Sequence, residues 1–99
     1  MGRRKVTVKE SVADSIAQIS WYIESMGLVE TAEKFSDDAY DYFIKLADSR
    51  RIHAVCREPG RALLGYKCIT YKHKYTIVFL ETNFELIICE FILSQNVYW

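Results

Sequence analysis

Two runs constrain this chain more than anything else in it: YTIVFL (Tyr75–Leu80) and LIICEFIL (Leu86–Leu93). Both are apolar at nearly every position, and the polar link TNFE (Thr82–Glu85) joins them. A link that short leaves two strands only the antiparallel arrangement. A third strand, roughly Leu63 to Tyr71, leads into Tyr75 across Lys72-His73-Lys74, and PGR (Pro59–Arg61) marks the turn that opens this β region. Residues 61–93 therefore read as a three-stranded antiparallel meander. A sheet wet on one face alternates apolar and polar residues, and these runs do not. Both faces are expected to be covered, one by helices and the other at least in part by something else, for which a partner is the natural candidate.

The helices come first in the chain. After a short β-branched strand, KVTVK (Lys5–Lys9), the period changes: Val12, Ile16, Ile19 and Ile23 draw one apolar stripe. Ser11 is the expected N-cap, with Asp14 three residues on, and Gly27 the expected left-handed end. Leu28, Ala32, Phe35, Ala39, Tyr42 or Phe43, and Leu46 then form a second stripe, with Glu33, Asp37, Asp38 and Asp41 outside it. So short a connection folds residues 11–46 into an antiparallel helical hairpin. Trp21 lies off the first stripe, and is expected either to pack within the hairpin or to stand on an exposed partner surface. The fold class that follows is α+β, in the order β-α-α-β-β-β, with the hairpin packed on a curved antiparallel sheet. Its 99 residues make one domain, 1–99.

Net charge is zero, which argues against holding nucleic acid by bulk electrostatics. The charges are nonetheless segregated. Residues 10–48 carry nine acids against Lys34 and Lys45, whereas residues 49–74 carry seven bases against Glu58. The last 25 residues hold no base. Cys56, Cys68 and Cys89 lack the spacing of a redox or zinc motif, and His53 and His73 are not placed to complete one. Reduced cysteines, no metal, no cofactor, no signal peptide and no membrane-spanning run make the expected location cytoplasmic.

The order of elements, the aromatic-Ile step Trp21-Tyr22-Ile23, the Ala- and Phe-lined second helix, REPGR (Arg57–Arg61), GYKCITYKHKYTIVFLE (Gly65–Glu81) and ELIICEFIL (Glu85–Leu93) together resemble the ParE/RelE superfamily of toxins from bacterial type II toxin–antitoxin modules, also described as plasmid stabilisation proteins. The resemblance covers nearly the whole chain. It implies a small toxin neutralised by a cognate antitoxin lying over its surface, and one of two targets. ParE-like members inhibit DNA gyrase by binding, while RelE-like members cut messenger RNA on the ribosome.

Fold does not choose between them; the site does. RNA cleavage needs a cation to stabilise developing phosphorane charge and a group to move the 2′-hydroxyl proton. By the resemblance, lysines on the central strands, an arginine after the basic turn, and basic or aromatic residues near the C-terminus supply these. Here Lys67 matches one lysine, but Ile69 and Thr76 stand where a second lysine and the arginine would be, and the tail offers only Tyr98. The gyrase-binding reading is therefore favoured over an mRNA endoribonuclease or an inactive relative kept for its interactions. A nuclease site rebuilt from His53, His73, Arg57 and Arg61 is the rival for chemistry. Lys72-His73-Lys74 reads as a solvated turn first. The candidate basic surface comprises Arg57, Arg61, Lys67, Lys72, His73 and Lys74. Trp21, Tyr98 and Trp99 are candidate partner contacts, since terminal aromatics dock on their own domain or on a second copy in a homodimer.

Overall fold

The computed structural model describes residues 4–48, 53–57 and 59–96. Two helices pack on a four-stranded mixed sheet in the order β1 (Lys5–Val8), α1 (Glu10–Ser25), α2 (Val29–Leu46), a short α3 (Pro59–Leu63), β2 (Lys67–Tyr71), β3 (Tyr75–Glu81) and β4 (Glu85–Leu93). Strand order is β1-β4-β3-β2. The meander is antiparallel, as its short links dictate. β1 instead joins β4 in parallel, Lys5 opposite Glu85 through Val8 opposite Ile88, and this pairing makes the sheet mixed.

β1 runs directly into α1. The Lys9 amide still donates to the Ile88 carbonyl at 3.1 Å, while the Lys9 carbonyl already accepts from Val12 and Ala13. Lys9 is thus the N-cap, and Ser11 lies inside the helix rather than capping it. Continuing the ladder moved the helix start ahead of the expected residue. Gly27 ends α1 at φ +85°, a conformation that glycine enters without penalty. Val12 and Ile16 on α1 and Ala32, Ala39, Phe43 and Leu46 on α2 are buried, so both stripes face the sheet as their spacing requires. Leu28 precedes the second helix and is exposed. The alanines allow close approach, and Ser20 Oγ donates across to the Ala32 carbonyl at 3.1 Å.

The core on this inner face is aromatic. Phe91 meets Phe35, Phe43, Tyr71 and Tyr75, stacking on Tyr75 with centroids 4.9 Å apart. β4 reaches that arrangement through a bulge. Val78 pairs with Glu90 but Phe79 pairs with Ile88, leaving Cys89 as an extra residue. Strict alternation from Leu86 and Ile88 would bury Glu90. The extra residue shifts the phase, so Phe91 fills the core instead. Burial pushes the Cys89 thiol pKa up.

The structure departs from expectation in two further places. The strand expected from Leu63 to Tyr71 starts later, because residues 59–63 form a helical turn and β2 begins at Lys67. Pro59 suits the first helical position. Gly65, at φ +85°, closes the turn as its amide and that of Tyr66 bond back to the Ala62 and Arg61 carbonyls. The meander proper therefore spans 67–93 rather than 61–93. The second departure concerns the outer face of the sheet. The chain itself extends the β2 edge beside that face: Val55 bridges antiparallel to Lys67, and Cys56 is disulfide-bonded to Cys68. Cys68 stands opposite Val78, which is fully buried. The expectation of three reduced cysteines is overturned, and only Cys89 is free.

Candidate functional site

The six candidate basic residues fall in three places. Arg57 and Arg61 belong to the outer face. Arg57 is exposed and lines a groove of about 300 Å³ with Val55, Cys68, Ile69, Thr70, Thr76 and Ser94. Thr76 and Ser94 share a hydroxyl hydrogen bond of 2.9 Å across its floor. Arg61, on α3, directs its guanidinium at Glu90, with Nη2 at 3.0 Å and Nε at 3.3 Å from one carboxylate oxygen. The bulge that keeps Glu90 out of the core is what presents it there.

Lys67 lies opposite Phe79 in the β2–β3 register and so shares the inner face. Its Nζ donates to the His53 carbonyl at 3.1 Å. Lys72, His73 and Lys74 occupy the far end of the same hairpin. Lys72 and His73 both have left-handed backbones, at φ 53° and 58°, and the Lys74 amide closes the turn on the Tyr71 carbonyl. Lys72 reaches Asp38 on α2 at 3.3 Å. Asp38 is also approached by Lys34, and these two ammonium groups hold its carboxyl below the usual value. The basic triplet is structurally a turn, as its sequence suggested.

His73 and Lys74 rim a second groove, of about 660 Å³, between α1 and the end of the sheet. Ile19, Tyr22, Ile23, Tyr75 and Leu93 supply its apolar walls. Of the two expectations for Trp21, packing within the hairpin is not met: it is 71% exposed on the neighbouring surface of α1. Tyr98 and Trp99 lie outside the described residues, as do Arg50 and Arg51.

The two histidines do not assemble one site. His53 is buried beside Glu81 at one end of β3, its Nδ1 3.2 Å from a carboxylate oxygen and its ring edge-on to Phe79. His73 lies beyond Tyr75 at the other end, about 20 Å away at ~3.3 Å per strand residue. Glu81 also receives Arg4 at 2.8 Å, and Arg4 donates to carbonyls of Ala47, Asp48 and Thr82. This buried cluster was not anticipated. Arg4 sits in a short basic run, and nothing local in the sequence links it to Glu81.

Among the described residues, no group of three His, Cys, Asp or Glu side chains could hold a metal ion, and no helix is long and apolar enough to cross a membrane. No family model, curated protein or solved structure matches the chain.

Proposed function

We propose that this protein is the toxin of a type II toxin–antitoxin module, ParE-like, acting in the cytoplasm by binding DNA gyrase, and restrained by a cognate antitoxin. The observation that carries the reading is the lining of the outer-face groove. Where cleavage would call for converging lysines and an arginine, Thr70, Thr76 and Ser94 line the groove with Arg57 as its cation, while Ile69 packs against the inner core. Hydroxyl groups of ordinary acidity neither move a proton efficiently near neutral pH nor offset phosphorane charge. The separation of His53 from His73 speaks against the rebuilt alternative in which both act together. Exposed Trp21 and Tyr22 suit a protein whose work is contact with other proteins.

Pulse-labelling after induced expression in a bacterial host tests this directly. DNA synthesis is expected to fall before protein synthesis, and purified protein is expected to inhibit gyrase supercoiling. Protein synthesis falling first would overturn the proposal in favour of a ribosome-dependent endoribonuclease. Neither falling would leave an interaction-only relative.

A further inference from the structure

Among the described residues, two backbone bonds tie the segment His53–Arg57 to the chain around the start of β2. Cys56 donates to the Tyr66 carbonyl at 3.0 Å, and Cys68 donates to the Ala54 carbonyl at 3.4 Å. α3, which follows, buries no side chain, and Leu63 and Leu64 are exposed. The Cys56–Cys68 bridge is the covalent anchor. Its two ends differ in reach. Cys56 is 3% exposed, whereas Cys68 is half-buried and lines the outer-face groove.

We propose that Cys56–Cys68 is a reversible thiol–disulfide exchange site for a small dithiol, and that its reduction releases Ala54–Arg57 from β2 while the four-stranded sheet stays intact. One thiolate of the dithiol attacks Cys68 Sγ, forming a mixed disulfide and expelling Cys56 as a thiolate. The second thiol of the reductant then attacks the reductant's own sulfur in that mixed disulfide. Cys68 leaves as a thiolate, and the reductant closes into a cyclic disulfide. Two electrons pass to the protein, and the two protons given up by the dithiol end on Cys56 and Cys68. Release withdraws Arg57 from the outer-face groove, so the redox state sets whether that groove carries its cation. The inference does not depend on the proposed toxin activity.

The test uses the full chain equilibrated in graded ratios of reduced and oxidised dithiothreitol. Acid quenching and denaturing alkylation, read by mass, should label one cysteine in the oxidised protein and all three in the reduced protein. Hydrogen exchange on the same samples should show the Cys56 and Cys68 amides exchanging at least about tenfold faster after reduction, with those of Ile77, Phe79 and Ile88 unchanged. Three labels in every buffer would overturn the proposal. So would equal protection of Cys56 and Cys68 in both states, or loss of protection throughout β3 and β4, which would make the bridge a strut of the whole fold. Cys68→Ser should reproduce the reduced exchange pattern, and matching the oxidised pattern would sink the proposal. Should that variant fail to fold, reduced wild-type protein decides the question alone.

Discussion

The two faces of the sheet are built on different terms. The inner face is closed by helices whose stripes were set by 3.6-residue spacing, and its aromatic residues touch one another in a continuous cluster. The outer face carries a cystine and an ion pair, and a short irregular segment extends the sheet at its β2 edge. Burial on the inner face comes from many apolar contacts that no single bond controls. On the outer face the specific links, the cystine and the Arg61–Glu90 pair, can each be altered singly by reduction or substitution.

The largest effect should come from the inner face. Phe91→Ala removes the ring that four aromatic partners share. It should cost about 3–5 kcal/mol, measured by urea unfolding. A cost below about 1 kcal/mol would mean that the cluster is not where stability resides. Glu81→Ala, at the inner edge, leaves Arg4 buried without its carboxylate, and a loss of about 3 kcal/mol is expected. On the outer face, replacing both Cys56 and Cys68 with serine should lower stability by about 2–3 kcal/mol under oxidising conditions, the range for a loop of this length. Under reducing conditions the variant and the wild type should converge, which a buried apolar deletion could not imitate.

The smallest effect is electrostatic. Lys34 and Lys72 lower the Asp38 pKa in the folded state, so the stabilisation is present above the ordinary value of 3.8 and is lost as pH falls through the lowered one. Asp38→Asn should therefore melt slightly lower than wild type at neutral pH and equally with it in strong acid. A difference that persists unchanged into strong acid would assign the effect to packing.

Legibility followed the same division. The helical stripes, the hairpin at Gly27, the meander and the bounds of β4 could be read because each rests on a local period or a short link. What escaped depends on contacts that local pattern does not encode. Nothing near Cys89 announces a bulge, since its phase shift is set by what Phe91 and Glu90 each find across the sheet. The cystine required knowing that His53–Arg57 lies along β2. Pro59 and Gly65 were both visible, but five residues are too few to show a helical period. Of the candidate site, the turn at Lys72–Lys74 was legible, whereas the dispersal of the other bases over two faces became apparent only with strand register.

The pairing of β1 with β4 has a consequence in time. Lys5 meets Glu85, so β1 waits for β4 before its ladder can form. At about 5–20 residues per second, synthesis of the intervening chain takes several seconds. The helical hairpin, whose contacts are local, can form during that interval. The sheet cannot close until β4 has left the ribosome, and until then a nascent chain carries an unpaired edge strand next to a finished pair of helices.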